Sequence, residues 1–219
     1  MEIWLDTIDL KTIEKAKNIG LLDGITTNPT ILAEGKKTPE DILEELLNSF
    51  SGPLAVQVTV RSEEGMIEQG KDFFDFSDRI IVKVPVTSEG LGAIYHLSLA
   101  NIPVMATAIF EPMQAFLASQ AGACYVVPYF SHIGENALEV CQIIQNMDLS
   151  SHLLIASLKK PEQFLQCASL KFDAVTLKGP LFDACLNPPQ QTLDQIERFE
   201  ASWQNASPSR LFTIPSLQD

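Results

Sequence analysis

Positive charge is scarce in this sequence: fifteen Lys and Arg stand against twenty-eight Asp and Glu, a net charge of −13 over 219 residues. That balance speaks against nucleic acid or an anionic membrane as partner, since both attract basic surfaces over long range. An anionic small molecule would need a local basic pocket. Uninterrupted apolar runs of spanning length are missing, and Met1 to Asp6 lacks a basic stretch leading into an apolar one. The expectation is therefore a soluble cytoplasmic protein. Cysteine is also sparse: Cys124, Cys141, Cys167 and Cys185 are too few and too widely spaced for a disulfide framework or a paired-cysteine metal or redox site, so reduced, mostly buried thiols are expected. Three scattered histidines supply no metal-ligand spacing. No Gly/Ser linker, low-complexity run or shift in composition divides the chain, and 46% apolar with 20% charged residues excludes disorder and fibrous repeats. One domain over residues 1–219 is expected, with 192–219 as a C-terminal helix and tail that carries an apolar patch at Leu211, Phe212 and Ile214.

What the chain does have is a repeating unit. Glu2 to Asp6 is a short apolar run, and Asp9 then caps a segment with Leu10, Ile13, Ala16 and Ile19 at helical spacing, closed by Gly20. Gly24 to Pro29 reads as a second strand with its exit loop. Thr38, Pro39, Glu40 and Asp41 supply a helix N-cap, a first-position proline and an acidic first turn. Ile42, Leu43, Leu46, Leu47 and Phe50 form that helix's apolar face. Further strands are expected at Leu54 to Val60, Arg79 to Val84, Pro103 to Ile109, Cys124 to Pro128, His152 to Leu158 and Asp173 to Leu177. Helical stretches such as Glu89 to Leu99, Pro112 to Gln120, Asn136 to Asn146 and Pro161 to Leu170 separate them.

Successive apolar positions, as in Ile80-Ile81-Val82 or Leu153-Leu154-Ile155, suit strands covered by protein on both faces, hence a parallel sheet. Eight strand–helix units predict an α/β fold, a (β/α)₈ TIM barrel with a C-terminal helical extension. An open doubly wound sheet is the other arrangement the pattern permits.

In such a barrel the chemistry sits where strands end and their following loops begin. The polar residues there are Asp6, Thr26 and Asn28, Gln57 and Thr59, Lys83, Thr107, Tyr129 and His132, Ser157 and Lys159, Thr176 and Lys178. Lys83 is the most unusual, because its immediate neighbours are all apolar. A lysine that loses its hydration has its pKa lowered and becomes a neutral nucleophile able to form an imine with a carbonyl. The alternative is a lysine whose stem follows the strand and whose ammonium reaches solvent.

The other positions also read two ways. Asp6 is a proton shuttle beside the imine or the cap of the first turn. Thr26 and Asn28 orient polyol hydroxyls or simply form a Thr-Asn-Pro turn. Gln57, between valines, requires a buried partner. Tyr129 holds a water or lines the rim. His132 offers charge to a phosphate or is a hydrogen-bonded surface residue. Ser157, Lys159 and Lys178 lie at the seventh and eighth strand ends, where barrels commonly bind phosphate, or are merely solvated.

Three stretches carry a family likeness: Trp4-Leu5-Asp6-Thr7; Gly24-Ile25-Thr26-Thr27-Asn28-Pro29-Thr30; and Ile81-Val82-Lys83-Val84-Pro85-Val86-Thr87 with Glu89-Gly90. Over nearly its whole length the sequence resembles the small transaldolase and fructose-6-phosphate aldolase family. The resemblance implies a class I aldolase with no metal or other cofactor, Lys83 as Schiff-base lysine, and Asp6, Thr26 and Asn28 as supporting residues. Transfer enzymes of that family resemble one another in a glutamate at the third strand end and a Phe after the proline of strand six. Gln57 and Tyr129 here are similar to the fructose-6-phosphate aldolase branch, as are Thr107 and Ser157. The implied reaction cleaves fructose 6-phosphate to dihydroxyacetone and glyceraldehyde 3-phosphate. Transaldolase transfer and a catalytically idle sugar-phosphate-binding barrel are the alternatives. The resemblance further implies a homo-oligomer, a decamer of two pentameric rings with C-terminal helices packed across subunits. One departure stands out: where the family usually carries an arginine that grips phosphate, this chain has His132. Lys159 or Lys178 is then the expected compensation.

Overall fold

The structure, a computed structural model, describes residues 1–204. Eight parallel strands close into a barrel in sequence order: β1 (Glu2–Asp6), β2 (Gly24–Thr26), β3 (Leu54–Gln57), β4 (Ile80–Pro85), β5 (Val104–Ile109), β6 (Tyr125–Pro128), β7 (His152–Ile155) and β8 (Ala174–Leu177), the last pairing with β1. The helices between them are α1 (Leu10–Asn18), α2 (Pro29–Ala33), α3 (Pro39–Ser49), α4 (Glu63–Phe76), α5 (Ser88–Leu99), α6 (Pro112–Gln120), α7 (Phe130–Ile133), α8 (Ala137–Asn146) and α9 (Pro161–Ser169). After β8 come α10 (Gly179–Leu186) and α11 (Gln190–Gln204). The expected TIM barrel is thus the observed fold.

Local chemistry starts the helices where expected. The Asp9 carboxylate accepts from the Thr12 amide at 3.1 Å and the Thr38 hydroxyl from the Asp41 amide at 3.2 Å, each satisfying an N–H that the helix itself leaves unpaired. Gly20 takes the left-handed conformation past the end of α1, with φ of 71°. On α1 only Ile13 and Ala16 are buried, while Leu10 and Ile19 stay exposed.

Unbroken apolar runs in the strands serve two cores. Outward positions such as Ile25, Leu54, Val56 and Ile80 pack with Ile13 of α1 and Ile42, Leu43 and Leu46 of α3. Inward positions Trp4, Ala55, Ile81, Met105, Val127, Leu154 and Ala174 fill the barrel. Burying each large aliphatic side chain contributes about 1.5–3 kcal/mol, so these layers hold the sheet closed. Trp4 dictates its neighbour: it pairs with Gly24, where a Cβ would stand 2.3 Å from the indole ring. Glycine alone leaves room for that ring.

Two strands are shorter than the sequence predicts. β3 ends at Gln57 instead of Val60, where Thr59 turns to bond Gln69 of α4. β7 ends at Ile155 instead of Leu158, because Ser157 adopts a left-handed backbone with φ of 64°. Cys141 and Cys167 are fully buried, and burial pushes both thiols up to about 12, which keeps them protonated; Cys124 and Cys185 are partly exposed.

The chain divides into two compact units, Met1–Ala184 and Cys185–Asp219. The first is the barrel. In the second, α11 buries none of its residues and carries Leu193, Ile196, Phe199 and Trp203 exposed. The apolar patch expected at Leu211, Phe212 and Ile214 lies outside the described residues. Among the described residues no helix is long and apolar enough to cross a membrane.

Candidate active site

Two residues beyond the apolar layer, on the same inward face of seven of the eight strands, the side chains change character; in β7 Leu154 is followed by Ala156. Trp4 is followed by Asp6, Gly24 by Thr26, Ala55 by Gln57, Ile81 by Lys83, Met105 by Thr107, Val127 by Tyr129 and Ala174 by Thr176. The period of two that points one set into the core points the next set into the barrel mouth. There they surround a cavity of about 500 Å³ lined by Asp6, Thr26, Asn28, Gln57, Lys83, Tyr129 and Thr176, and at its rim by His132, Ser157, Lys159 and Lys178. Of the thirteen strand-end residues named from the sequence, eleven line this cavity; Thr59, bonded to Gln69, and Thr107 do not. Thr107 stands behind Tyr129 and reaches it through a hydroxyl–hydroxyl bond of 3.0 Å.

Lys83 is 4% exposed, and its ammonium end does not reach solvent by snorkelling. Its Nζ donates to the Thr27 carbonyl at 2.9 Å. Burial pushes the amine below the usual lysine range, and the charge of Asp6 only partly opposes this. The result is a buried amine with a carboxylate nearby at the floor of an open cavity. Neutral, it is a nucleophile; the nearby carboxylate can carry a proton.

Asp6 is held by a directional chain. Thr26 Oγ1 donates to Asp6 Oδ1 at 2.8 Å and lies 2.8 Å from Thr176 Oγ1. A hydroxyl has one proton, so with Thr26 donating to the carboxylate, Thr176 must be the donor to Thr26. Thr26 is therefore spent on orienting Asp6. Asn28 caps a helix and also lines the cavity. Its Oδ1 caps α2, accepting from the Ile31 amide at 3.0 Å, which leaves its NH₂ group to donate into the cavity.

Gln57 departs from expectation. It pairs in register with Lys83 but is only half-buried, and its side chain makes no hydrogen bond among the described residues. Its amide faces the cavity, so it needs no buried partner. Burial pushes the Tyr129 phenol above its usual pKa, with the Thr107 hydrogen bond working in the other direction, so the hydroxyl keeps its proton at neutral pH. His132 is exposed, with Nδ1 3.0 Å from Ser157 Oγ and its ring 5.7 Å from that of Tyr129. Lys159 and Lys178 are exposed at the same rim. In a chain of net charge −13, that rim gathers two lysines and a histidine. Sequence reasoning did not find the Thr27 carbonyl, since no residue type announces a backbone acceptor. It named Thr176 as a strand-end residue without seeing its link to Asp6.

Comparisons with known proteins bear on the family and on the fold. The transaldolase/fructose-6-phosphate aldolase family matches residues 3–211. A probable transaldolase of Nitrosopumilus maritimus is 35% identical over 212 residues, covering 93% of this chain and 95% of the relative. A probable transaldolase of Thermoplasma volcanium is 34% identical over 224 residues, covering 98% and 100%. Among solved structures, a thiamine phosphate pyrophosphorylase from Pyrococcus furiosus has a TM-score of 0.56 at 12% identity, covering 81% of this chain and 85% of that one, a likeness of fold alone. The chain belongs to the transaldolase/fructose-6-phosphate aldolase family.

Proposed function

We propose that this member of the family is a class I aldolase that cleaves fructose 6-phosphate to dihydroxyacetone and glyceraldehyde 3-phosphate, or runs the reverse addition, through an imine on Lys83. The observation that carries the reading is a buried lysine amine open to a polar cavity it shares with the carboxylate of Asp6. Neutral Lys83 adds to the C2 ketone, and the ketone oxygen leaves as water to give an iminium. A water held by Tyr129 takes the C4 hydroxyl proton. The C3–C4 bonding pair then flows into the iminium, releasing glyceraldehyde 3-phosphate and leaving an enamine. The proton taken from the C4 hydroxyl passes to Asp6, which delivers it to C3 of the enamine, and water hydrolyses the resulting iminium to free dihydroxyacetone and Lys83. The NH₂ of Asn28 and the amide of Gln57 are the groups available to hold donor hydroxyls; His132, Ser157, Lys159 and Lys178 are those available to the phosphate end.

Transaldolase transfer is the second reading, favoured by the names of the relatives, both probable transaldolases. It differs only in the fate of the enamine, which waits for an aldehyde acceptor. Gln57 and the Tyr129 hydroxyl, held by Thr107, support hydrolysis over transfer. The proposal extends to a cytoplasmic homo-oligomer, the decamer of two pentameric rings implied by the resemblance.

Incubation with fructose 6-phosphate alone separates the readings. Free dihydroxyacetone is the expected product, whereas product formation that depends on added erythrose 4-phosphate would replace aldolase by transferase. Borohydride in the presence of dihydroxyacetone should fix a three-carbon adduct on Lys83. An unmodified Lys83 would leave only a sugar-phosphate-binding barrel.

A further inference from the structure

The end of β5 is irregular in a way that the end of β7 repeats. In the pairing of β5 with β6, Ala106 faces Val126 and Ile109 faces Pro128, so Thr107 and Ala108 together oppose Val127: a β-bulge. Ala108 takes a left-handed backbone, φ 58°, rare for a residue with a Cβ. Ser157 after β7 does the same at φ 64°. Each is followed by the same turn. Two residues on, the amides of Phe110 and Lys159 donate to a glutamine Oε1, Gln114 at 2.9 Å and Gln163 at 2.7 Å, with proline two positions before each glutamine. Phe110 and Lys159 thus hold equivalent positions at the barrel mouth, on either side of Tyr129.

The bulge decides which side chain meets Tyr129. Without the extra residue, alternation would turn Ile109 inward at that level. With it, Ile109 shares the outward facing of Pro128 and is fully buried under the helices, and Phe110 comes to the mouth. Its ring stands edge-on to Tyr129, centroids 5.8 Å apart and planes at 67°. Phe110 does not line the cavity and is 42% exposed, so the burial of an apolar side chain does not account for its place.

We propose that Phe110 is a positioning residue for Tyr129: delivered by the bulge at Thr107–Ala108, its ring and the Thr107 hydroxyl together fix the direction of the phenolic O–H that holds the reacting water. The inference rests on the reading of Tyr129 given above. An edge contact of this kind corresponds to a loss of about threefold to tenfold in rate when the ring is removed.

The test is a double-mutant cycle on kcat for release of glyceraldehyde 3-phosphate from fructose 6-phosphate, a step common to cleavage and transfer, measured with erythrose 4-phosphate present so that turnover continues under either reading. Phe110→Ala should lower kcat about threefold to tenfold with KM changed by less than about twofold, and leave borohydride trapping of dihydroxyacetone on Lys83 intact. In a Tyr129→Phe background the same substitution should have no effect, and Phe110→Tyr should restore the parent rate. If Phe110→Ala fails to fold, Phe110→Leu, which keeps apolar bulk without a ring edge, carries the cycle. Equal losses in both backgrounds, or a change confined to KM, would overturn the assignment. Parent-like activity of Tyr129→Phe would instead remove the role of Tyr129 itself, and this inference with it.

Discussion

Lys83→Met separates the chemistry of the site from its cost to the fold. In the parent, the amine is 4% exposed, makes one hydrogen bond, to the Thr27 carbonyl at 2.9 Å, and titrates below the usual lysine range because it is buried. Methionine keeps nearly the same length and bulk, so the packing around it survives. The variant loses that hydrogen bond, about 0.5–1.5 kcal/mol, or about 1–3 kcal/mol if the carbonyl is left without a partner. It also escapes a penalty. The unfolded chain keeps the Lys83 proton up to about pH 10.4, whereas the folded chain releases it at lower pH. Between those two values the unfolded state binds one more proton, so the parent gains stability with rising pH by about 1.4 kcal/mol per unit, and loses it as pH falls. The methionine variant has no such dependence. Urea unfolding of both proteins from about pH 6 to about pH 10 should show a stability difference that favours methionine most at the acidic end and then shrinks along that slope. Turnover and borohydride trapping should be absent throughout. A difference that stays flat across the range would mean that the folded amine titrates like an exposed lysine, and the account of a neutral nucleophile would be wrong.

The remaining expectations concern the groups around that amine. Thr26→Val breaks the chain from Thr176 to Asp6 and strands a buried Thr176 hydroxyl; unfolding should show a loss of about 1–3 kcal/mol and turnover should fall, and an unchanged rate would mean that Asp6 needs no orientation. Lys159→Glu and Lys178→Glu should each raise KM for fructose 6-phosphate with little effect on kcat, and an unchanged KM in both would remove these lysines from phosphate binding. Gly90→Ala would set a Cβ 1.9 Å from the Pro85 carbonyl oxygen, a contact that only backbone movement relieves, so α5 must shift away from the end of β4. Thermal unfolding should report a loss of at least about 1–3 kcal/mol, and a parent-like midpoint would show that this approach can relax.

Much of the barrel is legible in residue order because its physics is local. Continuous apolar runs such as Ile80-Ile81-Val82 mark strands covered on both faces, and capping residues such as Asp9 and Thr38 mark where helices begin. The short helices α2 and α7 escaped notice for lack of a period: five and four residues are too few to display one. The excess length assigned to β3 and β7 has a similar origin. Val58 and Leu158 are as apolar as strand residues, and what ends each strand is a turn made by its neighbours.

By itself the sequence determined the fold class, and it determined most of the side chains that reach the mouth, since a side-chain period of two and the placement of polar residues at strand ends are properties of the chain alone; the bulge that breaks this period in β5 is not. Tertiary structure decided how those side chains act on one another. The Thr176-to-Thr26-to-Asp6 chain joins residues 150 positions apart, the acceptor for Lys83 is a backbone carbonyl, and the left-handed turns at Ala108 and Ser157 occur at residue types that ordinarily avoid them. Hydrogen-bond direction and backbone strain depend on which strands become neighbours, and closure of the barrel, with β8 against β1, makes those neighbours.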